Sequence, residues 1–153
     1  MKKQSQNAEF HVSLKLIIKD KFGKILLLPT QKDSSLDGFC DLPGGRIQES
    51  TRYDPFAKNI EREIREELGK NFKYKLNHKP VAISRHEYYA KKLKKQRYLL
   101  CVFFEAKYLG GNINISDEHK DFLWTYVNKK NLKKYFVKGP LEGMTHYLTG
   151  KLG

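Results

Sequence analysis

The sequence predicts one domain of mixed α/β (α+β) class, and three observations carry that expectation. Segments of strand length and β-rich composition recur at 11–18, 25–28, 81–88, 97–108 and 122–127. Residues 54–69 follow a helical period instead. Within 97–108, the run from Leu99 to Phe104 is apolar on both faces, as a central strand covered on each side must be. A chain of 153 residues fits a single domain, expected over 9–153 behind a short polar tail at 1–8. It is long enough to bury a core without disulfide or metal staples.

The elements follow in order. From His11 to Ile18, Val12, Leu14 and Leu16 alternate with Ser13 and Lys15 as a strand requires. Lys19 to Lys24 carries Gly23 and turns the chain into a second strand, Ile25 to Leu28, ended by Pro29, so the two form a hairpin. A polar loop covers 31–38, and Phe39 to Leu42 is a short extended piece stopped by Pro43-Gly44-Gly45. Asp54 stands where a side chain would cap the helix, with Pro55 at its first position. Phe56, Ala57, Ile60, Ile64 and Leu68 then recur at helical spacing until Gly69 ends the run. After the later strands, 128–136 and 140–148 are expected to be helical.

Thirty Lys and Arg stand against 17 Asp and Glu, a net charge of +13. Such a surplus draws in phosphate-rich partners, although it speaks to association rather than to fold or reaction. Cys40 and Cys101 lie far apart in no spaced motif, which argues against a disulfide framework or a Cys-ligated zinc site and suits a reducing compartment. The N-terminal residues lead into no apolar signal-peptide run, and no apolar stretch approaches the ~20 residues that span a bilayer. A cytoplasmic protein without a membrane partner is expected. No signal fixes an oligomeric state.

The acids are not spread evenly. Glu49, Asp54, Glu61, Glu63, Glu66 and Glu67 all fall within 49–67, where an even spread would place about two. At 3.6 residues per turn Glu63, Glu66 and Glu67 share an arc of about 100° beside the apolar stripe. Like charges at i,i+3 and i,i+4 repel, yet lysine, abundant elsewhere, is not interleaved between them. Three converging carboxylates suit Mg²⁺ or Mn²⁺, hard cations that take oxygen ligands and bridge to substrate phosphates. Pairs such as Glu61–Arg65 and Arg62–Glu66 would otherwise make this a solvated helix face. Pro43-Gly44-Gly45 ahead of the helix lets backbone approach a ligand, because glycine has no Cβ.

Gly44-Gly45, the acidic position near Asp54, and Arg62-Glu63-Ile64-Arg65-Glu66-Glu67-Leu68-Gly69 together resemble the Nudix box, Gly-x5-Glu-x7-Arg-Glu-apolar-x-Glu-Glu-x-Gly-apolar. The local resemblance covers 38–69. Eight residues instead of five follow Gly45, Asp54 stands in place of Glu, and Lys70 takes a usually apolar place. The longer loop leaves either Glu49 or Asp54 for the first acidic position. The resemblance implies an α/β/α sandwich with a mixed β-sheet, and a Mg²⁺- or Mn²⁺-dependent hydrolase of phosphoanhydrides in nucleoside diphosphate-linked compounds or nucleoside triphosphates. It further implies that Glu63, Glu66 and Glu67 bind the cations with the Gly45 carbonyl assisting, that Gly44, Asp54 and Arg62 support the site, and that a loop acid outside the box takes part. Glu118 is the candidate for that acid, with His119 a weaker one.

Two basic clusters remain. Lys91, Lys92, Lys94, Lys95 and Arg97 lie between two strands and are flanked by Tyr88, Tyr89 and Tyr98, so that they could grip polyphosphate or single-stranded RNA at a hairpin tip. Lys129, Lys130, Lys133, Lys134 and Lys138 form the second. The competing function is therefore a non-catalytic nucleotide or RNA binding module of the same fold that works through 91–97.

Overall fold

The computed structural model describes residues 5–152; residues 1–4 of the expected tail and Gly153 lie outside the described residues. Seven strands form one mixed sheet, and β1 (His11–Lys19) lies near its centre. On one side β1 pairs in parallel with β6 (Lys95–Gly110), which pairs in turn with the edge strand β5 (Lys73–Ala90). On the other side it meets β2 (Ile25–Pro29), which carries β3 (Cys40–Asp41) and β7 (Leu123–Thr125); β4 (Gly44–Arg46) also runs antiparallel to β1. The parallel β1–β6 pair, nine residues from His11↔Leu99 to Lys19↔Lys107, makes the sheet mixed.

The pleat sends alternate residues of β1 to opposite faces. Leu14, Leu16 and Ile18 join Ile60, Ile64 and Leu68 of α1 (Phe56–Leu68), all at 2% exposure or less. Ile17 faces the other way, into a core with Leu132 of α2 (Leu132–Tyr135) and Met144 of α3 (Lys138–Thr149). Each fully buried Leu or Ile contributes about 1.5–3 kcal/mol, so the three layers of the α/β/α sandwich are held by two cores that share one sheet. At Gly143 of α3 an added Cβ would lie 2.2 Å from Cζ of the buried Phe103. Gly143→Ala is expected to cost about 3 kcal/mol through overpacking against this buried ring, which outweighs the ~1 kcal/mol gained in helix propensity. A urea midpoint at or above wild type would contradict this.

Several boundaries differ from the sequence expectation. Asp54 does not cap α1. Pro55 holds the N-cap position in extended geometry and its own carbonyl accepts from Lys58 and Asn59, while the Asp54 carboxylate pairs with Lys58 Nζ at 3.3 Å. The turn closed by the Asp54 N–H on the Thr51 carbonyl ends one residue too early for a side-chain cap. The expected 128–136 helix shrinks to one turn because the Asn128 side chain accepts from the N–H groups of Lys130 and Asn131, a turn that competes with helix. β5 begins at Lys73 rather than 81, and Pro80 is accommodated at a shift of register. Gly44 and Gly45, expected as a turn, enter the sheet as β4.

Candidate active site

Gly44, at φ +139°, lies so close to β1 that an added Cβ would sit 1.9 Å from the Leu14 carbonyl oxygen. This approach turns the Gly44 N–H toward α1, where it donates to Glu67 Oε2 at 3.2 Å. Beside it, an added Cβ on Gly45 would lie 2.4 Å from the Glu63 carboxyl carbon. The two glycines thus bring the strand backbone against two of the three helix carboxylates.

The three carboxylates occupy different environments. Glu67 is buried, the Glu63 side chain is 14% exposed and that of Glu66 58%. Arg62 ties two of them together: it reaches Glu63 at 2.8 Å and Glu66 at 3.5 Å, and donates to the Arg46 carbonyl at 3.3 Å. Charge-assisted bonds of this kind orient carboxylates, and the buried Arg62 Nε still has no partner among the described residues.

The C-terminal end of α1 completes the cluster. A helix leaves its last carbonyls unsatisfied. Here those of Glu67 and Leu68 accept from the N–H groups of Ser116 and Asn114, which docks the 114–119 loop on the helix end. The docking brings Glu118 and His119 to Glu67, with one ligand atom from each within 4.8 Å of the others. His119 Nδ1 is buried with no partner among the described residues. The carboxylates of Glu67 and Glu118, beside those of Glu63 and Glu66, form an oxygen donor set that fits a hard divalent cation such as Mg²⁺ or Mn²⁺, whereas the His119 imidazole adds a softer nitrogen donor.

Lys15 and Asp41 were not singled out by the sequence. Their side chains are paired at 2.8 Å and exposed by only 14% and 22%. The alternation of Ser13 and Lys15 with leucines reads as half-exposed, whereas Ser13 is in fact buried. The usable signal was Leu16-Ile17-Ile18, an unbroken apolar run that already requires both faces of β1 to be covered.

All of these groups surround a cavity of about 760 Å³ that contains Glu63, Glu66, Glu67, Glu118, Lys15 and Arg46. Of the two candidates for the first acidic position, Glu49, on a 3₁₀ turn and bonded to Arg52, lines this cavity; Asp54 does not. Neither Lys91, Lys92, Lys94, Lys95 nor Arg97 lines it. A smaller cavity of about 370 Å³ shares Lys15, Asp41 and Arg46, and continues past His86 and Tyr88.

Burial dominates the electrostatics. It pushes the Glu67 carboxyl up to about 8, against the attraction of Lys15 and the bond from Gly44. It also raises Glu63, opposed by Arg62, and lowers His119, opposed by Asp41 and Glu118. For Lys15 burial acts downward, but Asp41 and Glu67 outweigh it and keep the ammonium charged. A carboxyl with a folded pKa above its ordinary 4.5 stabilises the fold fully below 4.5, and that contribution disappears as pH rises through the folded value. Chelator-treated protein is therefore expected to lose up to about 4 kcal/mol through Glu67 between pH 5 and pH 8. Glu67→Gln should flatten this dependence, and equal slopes for the two proteins in urea titrations would refute it.

The whole arrangement is similar to solved structures. The MutT protein of Methanosarcina mazei Go1 matches with a TM-score of 0.61 at 21% identity, over 85% of this chain and 83% of that one. A Nudix hydrolase of Nitrosomonas europaea matches with a TM-score of 0.64 at 14% identity, over 95% of this chain and 74% of that one. The chain has the fold of the Nudix hydrolases. An ADP-ribose pyrophosphatase of Streptococcus suis shares this Nudix fold with a TM-score of 0.58, at 21% identity over 92% and 90% of the two chains. No protein-family model matches the sequence, and no curated protein does. In this Nudix fold the box-like residues 44–69 run from β4 through α1, and the glycines and the carboxylates meet at one place.

Proposed function

We propose that this Nudix-fold protein is a Mg²⁺- or Mn²⁺-dependent pyrophosphohydrolase that acts on nucleoside diphosphate-linked compounds or nucleoside triphosphates. The observation that carries the reading is the convergence of Glu67, Glu118 and His119 within 4.8 Å, on a helix end already crowded by Glu63 and Glu66. Mutual repulsion and desolvation make such a cluster costly in a fold that does not use it. The name of the Streptococcus suis neighbour, an ADP-ribose pyrophosphatase, agrees with a substrate of this class.

Glu63, Glu66 and Glu67 would hold the cation, with the Gly45 carbonyl assisting and Gly44, Arg62 and the cavity-lining Glu49 fixing their positions. Bound there, the cation supplies charge neutralisation and Lewis-acid polarisation of the phosphoryl oxygens. Glu118, which lines the same cavity, would take a proton from the attacking water. The water oxygen forms the new bond to phosphorus, the anhydride P–O bond breaks, and a nucleoside phosphate leaves. Lys15 and Arg46 line the same cavity and offer cationic donors to the phosphate oxygens. Most of the rate would come from positioning and charge stabilisation.

Free, buried Cys40 and Cys101 suit a reducing, cytoplasmic setting, and among the described residues no helix is long and apolar enough to cross a membrane. The test is a panel of nucleotides incubated with Mg²⁺ and with Mn²⁺, followed by chromatography of the products. Cleavage of at least one anhydride to a nucleoside phosphate is expected. Binding without cleavage of any of them would overturn the reading in favour of a non-catalytic module.

A further inference from the structure

The β5–β6 ribbon is longer than the sheet needs. β1 ends its pairing with β6 at His11↔Leu99, but β5 and β6 run on through four more pairs, from Glu87↔Tyr98 to Ala90↔Lys95, with no third strand alongside among the described residues. The result is a two-stranded arm that projects from the mouth of the site. Its turn carries Lys91, Lys92 and Lys94, with Lys95 opening β6, all exposed. Glu87 is the one acid between Ser84 and Tyr98.

The two faces of the arm differ. Residues directly opposite one another in an antiparallel pair share a face, and successive residues alternate. Leu99, which lines both the large and the small cavity, therefore shares its face with Arg97, Lys95 and Tyr88, whereas Glu87 lies on the other face. Arg46, at the cavity wall, stacks its guanidinium 5.4 Å from the Tyr88 ring centre and bonds the Tyr88 hydroxyl instead of a carboxylate. Arg97, directly across from Tyr88, has its Nε buried without a partner among the described residues. One face of the arm thus runs from Arg46 at the cavity wall past Arg97 to Lys95, with the Tyr88 ring among these cations and no acid on that face of the arm's two strands. At ~3.3 Å per residue the track from Leu99 to Lys95 is about 13 Å long. That suits up to about four stacked nucleotides at 3.4 Å each.

We propose that this arm binds single-stranded nucleic acid, and that the substrate of the acidic site is the anhydride at the 5′ end of an oligonucleotide rather than a free mononucleotide. A cationic track interleaved with an aromatic ring is the sequence-tolerant way in which proteins hold such strands. The proposal deepens the pyrophosphohydrolase reading and rests on it for the reaction. The arm's binding of the strand stands independently of that reading.

The experiment compares a 5′-triphosphorylated 12-nucleotide RNA with GTP matching its first nucleotide. Wild type is set against a variant with Lys91, Lys92, Lys94 and Lys95 all changed to serine. Wild type is expected to favour the RNA at least about tenfold in kcat/KM, chiefly through KM, and the variant to lose most of that preference. Binding of the 3′-labelled RNA should weaken in the variant, with a log–log salt slope smaller by about 2–3. Equal handling of RNA and GTP by wild type, or a preference that survives in the variant, would overturn the proposal. So would a variant that aggregates yet keeps its RNA affinity, since its lysines then only guard exposed strand edges. If no anhydride is cleaved, the hydrolase reading fails by itself. Lysine-dependent RNA binding by Glu66→Gln protein would still uphold the arm, and its absence would refute it.

Discussion

Glu67→Gln, and separately Glu66→Gln, is expected to lower Mg²⁺-dependent turnover at least about a hundredfold, or ~2.7 kcal/mol of transition-state stabilisation, while circular dichroism stays unchanged. The fold is expected to persist because the amide oxygen introduced by Glu67→Gln can still accept from the Gly44 N–H that now meets Glu67 Oε2. Glu66 is largely exposed and has only a 3.5 Å contact with Arg62 to lose. What disappears in each case is one carboxyl group able to ionise and hold a cation at the cluster. A second readout separates binding from chemistry. Saturating Mn²⁺ at about 100 times its dissociation constant should stabilise wild type by ~2.7 kcal/mol, and each variant should lose much of that gain. Near-normal turnover in either variant would remove that residue from the site.

Gly45→Ala and Gly44→Ala, adjacent and chemically identical changes, should fail in different ways. The new methyl at Gly45 meets the far end of the Glu63 side chain, which can swing away. Stability should fall by about 1 kcal/mol or less. The displaced carboxylate should nevertheless cost turnover, by ten- to a hundredfold, since shifts of about 1 Å matter on that scale. The new methyl at Gly44 meets the Leu14 carbonyl oxygen at 1.9 Å, backbone of the central strand, from a φ of +139° that only glycine adopts readily. Neither side can yield, so a loss of about 4 kcal/mol or more, or no folded protein, is expected. Urea midpoints together with Mg²⁺-dependent rates check the contrast. A Gly45→Ala protein as unstable as Gly44→Ala would show that the Glu63 side chain is not free to move.

Much of this was legible in the sequence where local pattern and tertiary demand agree. The Ile60, Ile64 and Leu68 stripe placed α1, and the unbroken apolar run of 99–104 placed the covered strand β6. Box-like spacing pointed to the carboxylates. What stayed hidden depends on contacts between distant segments. No periodicity shows that Lys15 would be half-buried against Asp41, 26 residues away, because a lysine in an alternating strand reads as exposed until the cover on that face is known. The different environments of Glu63, Glu66 and Glu67 likewise arise from β4 and the 114–119 loop rather than from the helix itself. Asp54 and Pro55 follow a sound capping rule, displaced by one residue through a turn whose closure depends on Thr51.

The docking of residues 114–119 on α1 has a consequence for dynamics. Two amides, those of Asn114 and Ser116, fasten the segment that delivers Glu118 and His119 to the helix. Ile113 and Ile115 add only partly buried contacts with the core, and a segment held this locally can open without the rest of the protein unfolding. The assembled site is then a sub-population with its own free energy, and hydrogen exchange at those two amides measures it directly. Any ligand that bridges Glu67 and Glu118 should slow that exchange while leaving the amides of β1 and β6 unaffected.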